Sequence, residues 1–328
     1  MNILVSGGAG YIGSHMVALL LEKGHTPVVI DNLSTSDLKN IETLKSKHGD
    51  FPFYNLDIRN YEELADIAET IDAIINFAAF KSIPESVDFP EKYFDNNIGG
   101  TTNLIKFAKE KGIKNFVFSS TANVYKFSET GVLTEDSPTE PTAPYGFTKL
   151  ASEKLLEYAS TAFGLNATAL RYFNVCGNAI DGSIGDPSTT NTSLFAALFL
   201  SYYKIKPIEF SVFGTDFDTP DGSGVRDYIH VIDLCEAHLK AIEYMNKNPG
   251  FNVFNLGTGT GYSVLEIMEK FTEIVDKDFQ YKIAPRRPSD VGKAITIPTK
   301  ANTLLNWKAE HSIEDVISSM NAWYKNNF

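Results

Sequence analysis

Cysteine is almost missing from this chain. Cys176 and Cys235 are the only two among 328 residues, too few for a disulfide framework, and no Cys/His spacing suits a zinc site, so no metal is expected. A reducing compartment follows. Basic residues are also short, 29 against 41 acidic ones, for a net charge of -12. Nucleic acids and anionic membranes reward clustered Lys and Arg, so neither is an expected partner. No apolar run approaches the ~18 residues of a membrane span, and the N-terminus enters a strand at once, with no charged leader or cleavage site. A cytoplasmic protein is expected. Two triplets, Asn166-Ala-Thr168 and Asn191-Thr-Ser193, match the glycosylation pattern, but without a secretory signal chance explains them. Low-complexity linkers and whole-unit repeats are absent too, and Trp307 and Trp323, the only tryptophans, are expected as core or interface anchors.

What the chain does have is a strong start. Residues 3–15 read ILVSGGAGYIGSH: a short buried strand, glycines at 7, 10 and 13, then an apolar run. That is a strand, a tight turn and a helix. Without Cβ the backbone can approach a pyrophosphate closely, and the helix N-terminus turns unpaired N–H groups and its positive dipole end toward the anion. Further strand-like runs alternate with helix-like segments: TPVVID (26–31), FPFYN (51–55), AIINF (73–77), NFVFS (115–119) and ATALRY (167–172). Continuous apolar runs suit strands buried on both faces, so the fold class is α/β, a doubly wound parallel sheet. A first domain over 1–175 and a smaller C-terminal α/β domain over 176–328 are expected, partly interleaved, the second grown from insertions after Tyr172.

The second strand ends on Asp31, where a carboxylate accepts from ribose hydroxyls and repels a 2′-phosphate, favouring NAD over NADP. Asp57-Ile58 offers a polar edge and an apolar face to an adenine. Phe77-Ala78-Ala79-Phe80-Lys81 ends the fourth strand with small residues over which a cofactor can lie. Residues 88–112 read as one helix in which Gly99-Gly100 implies close packing or a kink, with Asn96 beside that weak point. The fifth strand delivers Ser119-Ser120-Thr121, and later come Pro144, Tyr145 and Lys149. Pro144 favours a helix start, which puts Tyr145 and Lys149 on one face. A nearby ammonium and a cationic nicotinamide favour phenolate, so Tyr145 is expected to become a base near neutral pH, with a hydroxyl relay from Thr121. The plain alternative is a surface helix with a half-buried tyrosine.

GGAGYIG at 7–13, SST at 119–121 and YGFTK at 145–149 resemble the extended short-chain dehydrogenase/reductases. DNLS at 31–34, DIRN at 57–60, KSIPESV at 81–87, DNN at 95–97, LRYFNV at 170–175, GVRDYIHVIDL at 224–234 and APRRPSD at 284–290 resemble, within them, the UDP-glucose 4-epimerase family. The resemblance runs over nearly the whole chain. It implies a Rossmann fold, tightly held NAD, a UDP-sugar substrate and a homodimer. By motif, Gly7, Gly10, Tyr11, Ile12, Gly13, Asp31, Asn32, Leu33, Ser34, Thr35, Ser36, Asp57, Ile58, Phe77, Ala78, Ala79, Phe80, Lys81, Asn96 and Phe173 would line NAD. Asn174, Phe213, Arg226, Val264, Arg287 and Asp290 would line the nucleotide sugar. The chemistry suits them: Phe213 can stack on uracil, Asp290 can accept from ribose, and two arginines can neutralise a diphosphate. A surface ion pair is the plain reading of either arginine alone.

Two departures bear on substrate choice. Ser193 stands where the family's substrate helix has an asparagine. Ala294, four residues past Asp290, stands where a tyrosine or smaller residue gates the sugar pocket, so UDP-GlcNAc and UDP-GalNAc are expected substrates alongside UDP-glucose and UDP-galactose. The implied reaction inverts C4 of a UDP-hexose through a transient 4-keto sugar, with Thr121, Tyr145 and Lys149 catalytic. A 4,6-dehydratase would need acids after Thr121, and Ala122-Asn123 supply none. A UDP-pentose 4-epimerase, another NAD-dependent sugar-nucleotide enzyme of the family and a non-catalytic NAD sensor stay open. A second glycine-rich turn, NLGTGTGYSVLEI at 255–267, carries a Ser263-x-x-Glu266 capping box and reads as scaffold. His230 reads as structural.

Overall fold

The computed structural model describes residues 1–126, 130–186, 193–287 and 290–328. Its strands are β1 (Asn2–Ser6), β2 (Thr26–Asp31), β3 (Phe53–Asn55), β4 (Ala73–Asn76), β5 (Asn115–Thr121), β6 (Val132–Leu133) and β7 (Asn166–Tyr172). They continue with β8 (Asn174–Cys176), β9 (Ser211–Phe213), β10 (Val225–His230), β11 (Phe251–Leu256), β12 (Gly261–Ser263), β13 (Lys282–Ala284) and β14 (Lys293–Thr296). Seven of them form one sheet in the order β11-β7-β5-β4-β1-β2-β3, every neighbouring pair parallel.

Alternate residues explain why such strands show no polar face. Ile3, Val5, Val29, Ile75 and Val117 point to the side covered by the helices Tyr11–Glu22 and Val231–Met245. Leu4, Val28, Ile30, Ile74 and Phe116 point to the other, against Leu104 and Phe107 of Gly100–Lys111 and Leu156 of Pro144–Phe163. Both faces are covered, so both must be apolar. The strand order reverses between β1 and β4, and the carboxyl ends of those two strands open the crevice in which such sheets hold ligands.

The helix expected over 88–112 is three pieces: Pro90–Tyr93, a π-helical turn Phe94–Gly99, and Gly100–Lys111. Gly100 explains the break. A Cβ there would collide with the Ile58 side chain, so the glycine lets the helix settle onto β3's loop, and the wide turn before it absorbs the change of path.

A second sheet runs β12-β10-β14-β6, with β8 on the far side of β10, and β13 pairs β9. Its core is aromatic. Phe199 stacks on Tyr324 at 5.2 Å, with Phe195, Phe271 and Trp323 packed around them. Trp307 Nε1 donates to the Asp233 carbonyl at 2.9 Å. Both cysteines are unpaired and buried. Among the described residues no helix is long and apolar enough to cross a membrane.

Candidate active site

The glycine turn leaves β1 at Gly7, whose φ of 72° is left-handed and whose N–H donates to the Ile30 carbonyl at 2.9 Å. A Cβ on Gly7 would lie 2.7 Å from the Ala78 nitrogen, and one on Gly13 would collide with the Gly7 carbonyl. Those two glycines permit packing. Gly10 differs: a Cβ there would meet only the Gly7 carbonyl, at 3.3 Å, with nothing else within 4 Å. The helix N-terminus is therefore open on the crevice side, a cradle that fits a pyrophosphate. Tyr11 and Ile12 open the helix Tyr11–Glu22. The Tyr11 phenol donates to the Gly177 carbonyl, tying this turn to the loop after β8.

Asp31 ends β2 with its carboxylate already oriented. Oδ2 accepts from Ala9 N at 3.0 Å, and Oδ1 from Leu33 N and Ser36 Oγ, both at 2.9 Å. Lone pairs remain for ribose hydroxyls. Leu33 bends there at φ 56°, which is strained for a residue with a Cβ. Asn32 Nδ2 donates to Asp57 at 2.8 Å, and Arg59 hydrogen-bonds the same carboxylate, holding it down at about 2. Ser34 and Thr35 are exposed, while Ile58 spends its side chain on Gly100. After β4, Phe77 N donates to the Ser6 carbonyl and Ala78 lies beneath Gly7. Phe80 is pinned by Asn97, which accepts from its N–H at 2.9 Å and donates to its carbonyl at 3.0 Å. Asn97 also donates to Thr148 at 3.0 Å, so the π-helical turn joins the cofactor loop to the Tyr145 helix. Asn96 is buried in that turn against Asn97, Lys81 is exposed, and Phe173 packs beside Val124 and Tyr125.

Thr121 is the last residue of β5, and Tyr145 lies in the first turn of Pro144–Phe163. Gly146 brings them together: a Cβ there would overlap the Asn123 carbonyl, so only glycine lets this helix close on the end of β5. The Thr121 hydroxyl beside the phenol favours phenolate, yet burial outweighs it and pushes Tyr145 up to about 12. Lys149 sits one turn on, but its ammonium donates to the Ser119 carbonyl at 2.7 Å instead of to the phenol. Burial lowers Lys149 to about 7, opposed by the Glu153 carboxylate. The expectation invoked the ammonium together with a cationic nicotinamide, and in the protein by itself Lys149 does not bring its ammonium onto the phenol. In this geometry desolvation wins, and a further positive charge at the crevice is needed to make Tyr145 a base.

The other cluster lies across the crevice. Arg226 on β10 is mostly buried with no carboxylate in hydrogen-bond contact; its guanidinium donates to the Val225 carbonyl at 2.9 Å, and burial lowers its pKa. A buried fork that donates only to carbonyls among the described residues suits an anion. Ala294 on β14 pairs with Arg226 in parallel register and so shares its face of the sheet. Val264 N donates to the Gly224 carbonyl at 3.1 Å beside them. Arg287 lies 5.0 Å over the Phe213 ring and bonds Asp290 at 2.9 Å, so these three form one unit, with Phe213 41% exposed. Asn174 is exposed at the start of β8, and Ser193 stands at the N-cap position of the helix Leu194–Tyr202 with no side-chain cap hydrogen bond. Residues 187–192, just before Ser193, and 288–289, inside the APRRPSD stretch, lie outside the described residues.

Comparison with known proteins places this geometry. The model of the NAD dependent epimerase/dehydratase family matches residues 3–257. A UDP-glucose 4-epimerase of Bacillus subtilis (strain 168) is 43% identical over 333 residues, covering 100% of this chain and 98% of that protein. The chain belongs to this family. A crystal structure of UDP-glucose-4-epimerase from Stenotrophomonas maltophila, with bound NAD and formylated UDP-arabinopyranose, superposes at TM-score 0.95 with 38% identity, covering 99% and 98% of the two chains. The UDP-Glc/GlcNAc 4-epimerase of Campylobacter jejuni superposes at 0.86, also 38% identical, covering 99% of each.

For a member of the NAD dependent epimerase/dehydratase family, several residues escape a motif reading. Asn97 and Arg171 sit in the motif stretches 95–97 and 170–175, but their roles as polar hubs do not show there. Phe80 and Thr148, the partners of Asn97, and Glu153, 2.6 Å from Arg171, are remote in sequence. Asn123, which bonds Thr121 two residues before it, is a further hub. The second glycine turn is another. Asp227 of β10 puts its carboxylate into that turn, accepting from Thr258 N at 2.8 Å and Gly259 N at 3.0 Å. A resident carboxylate fills the place a phosphate would take, and the Ser263–Glu266 capping box forms beside it.

Proposed function

We propose that this chain is a UDP-glucose 4-epimerase, interconverting UDP-glucose and UDP-galactose and accepting their N-acetylated counterparts. The observation that carries the reading is that Gly146 lets the Tyr145 helix close on the end of β5 at Thr121, in the same sheet whose β1 ends in the open Gly10 turn. NAD, when bound, supplies a reversible hydride acceptor and a positive ring. Gly7, Gly10, Gly13 and Asp31 would hold it, with Asn96 and Phe77 to Lys81 along its length. Arg226 and Arg287 would bind the diphosphate, with Phe213 under the uracil and Asp290 on the ribose. Tyr145 takes the proton from the sugar 4-hydroxyl and gives it back to the same oxygen after the 4-keto sugar has turned over, so that hydride would return to the opposite face of C4, while Thr121 orients that oxygen. Lys149 adds the protein's own positive charge near the phenol. Because the hydride is borrowed and returned, the cofactor is kept through turnover. A small Ala294 beside Arg226 leaves space for an acetamido group.

We also propose a homodimer and a cytoplasmic site of action. Phe94 and Phe147 meet at 5.9 Å and are 40% and 50% exposed, and Tyr158 extends the same helix face at 70%. A second copy would cover that apolar face. The 1–175 and 176–328 division is proposed with β11 crossing back into the first sheet.

The deciding test is incubation of purified protein, with no added NAD, with UDP-galactose and separately with UDP-GalNAc. Conversion of both is expected. Conversion of UDP-galactose alone would remove the acetamido reading, and conversion of neither after NAD is supplied would leave the pentose and sensor alternatives.

A further inference from the structure

Asn123 is neutral, follows the proposed catalytic threonine by two residues, and has no part in the reaction as described. Its contacts are specific. Its backbone N–H donates to Thr121 Oγ1 at 3.2 Å, and its side-chain Nδ2 donates to the same oxygen at 3.1 Å. A hydroxyl oxygen has two lone pairs and one proton. With both lone pairs engaged by Asn123, the Thr121 proton is the only group left to point at the phenol.

We propose that Asn123 is a positioning residue that fixes the direction of the Thr121 hydroxyl, so that Thr121 offers its one proton to the Tyr145 phenol oxygen or, in turn, to the sugar oxygen, and never accepts from either. The hydrogen bonds run one way, from Asn123 to Thr121 to Tyr145. A donor aimed at Tyr145 favours phenolate, the form that takes the proton from the sugar. A threonine free to rotate would spend part of its time as an acceptor from the neutral phenol, favouring the idle form. This sets the relay expected from the sequence in one direction: Thr121 supplies a hydrogen bond but carries no proton away. The inference rests on Tyr145 being the base. Among the described ionisable groups Tyr172 on β7 interacts with Tyr145, while Lys149, one turn along the same helix, turns its ammonium to the Ser119 carbonyl and is influenced by Glu153, and Asn123 adds no charge to them.

The test compares Asn123→Ala and the near-isosteric Asn123→Asp with the native holoenzyme and with Tyr145→Phe. Three readouts are taken: the pH profile of kcat for UDP-galactose, its KM, and the ultraviolet phenolate titration measured as a difference from Tyr145→Phe. Asn123→Ala is expected to lower kcat near neutral pH by about 3- to 10-fold, with KM and bound NAD unchanged. The phenolate titration and the rising limb of the profile should both move to higher pH, so that the variant recovers in alkaline solution. Asn123→Asp should be worse than Asn123→Ala, because its carboxylate accepts the Thr121 proton and turns the chain around. A role in shape alone predicts the opposite order, with the isosteric variant near native. Native-like profiles and titration in both variants, or Asn123→Asp outperforming Asn123→Ala, would overturn the proposal. Native turnover in Tyr145→Phe would instead overturn the reading of the site beneath it.

Discussion

Tyr145 and Lys149 show how a two-residue motif acquires its chemistry from surroundings. Burial holds the phenol up near 12 and the lysine down near 7, so the protein alone keeps an idle acid one helical turn from a lysine whose charge burial disfavours. Removing the phenol oxygen should abolish proton transfer without touching the nucleotide cradle. Tyr145→Phe is expected to lose at least about a hundredfold in kcat while the purified protein keeps its NAD, measured by release of cofactor on denaturation. Ala294 makes a second, separable prediction at this scale. Ala294→Tyr should cut turnover of UDP-GalNAc at least about tenfold relative to UDP-galactose, since overfilling a buried site costs roughly 1–3 kcal/mol. An unchanged ratio in competition between the two sugars would place the gate elsewhere. Motifs revealed these residues because each carries its own chemistry. They took in Asn97 only as part of the DNN stretch and did not reveal Asn123; both are neutral amides that matter through partners 17 to 51 residues away or on an adjacent turn.

At the scale of the element, glycines separate into those that open a site and those that close a contact. Gly10 opens the crevice; Gly100 and Gly146 close contacts on Ile58 and Asn123. Gly100→Ala should lower stability by about 1–3 kcal/mol through overpacking against Ile58, seen in chemical denaturation, and Ile58→Ala in the same chain should recover part of the loss. Strand positions were legible because burial on both faces leaves an unbroken apolar run: AIINF and ATALRY are β4 and β7 to within a residue. The helix at 88–112 was legible as a helix, and its two glycines as a flaw. Its division into a π-helical turn was not, because the cause is Ile58 in a loop distant in sequence. The same holds for the second glycine turn, where Asp227 decides the outcome from another strand.

Across the whole molecule, buried histidines set the acid limit. Burial lowers His15 and His238 to about 4, against about 6.5 for an unfolded chain. Between those values the unfolded chain binds protons that the folded one refuses. Stability is therefore complete above about pH 6.5 and drains as pH falls toward 4, by about 3 kcal/mol for each histidine. His311 works the other way. Its hydrogen bond to Asp233 raises it, so its smaller contribution is present below about 6.5 and lost as pH rises through the raised value. Thermal unfolding across pH should show the steep decline on the acid side, and His238→Leu should flatten it.

The place of β11 governs how the molecule is made. This strand completes the edge of the nucleotide sheet against β7, all six of its residues in register from Phe251 to Leu256, although most of the second sheet's strands and helices precede or follow it in the chain. A ribosome that has released residues 1–175 has produced a sheet whose β7 border is bare, with Ala167, Ala169 and Leu170 entirely buried in the finished protein. Such a border invites pairing with the wrong strand. The nascent half must wait for some eighty more residues before it can close, so truncation at 175 should give aggregates rather than a nucleotide-binding fragment, and chaperone demand during synthesis should fall only once Leu256 has emerged.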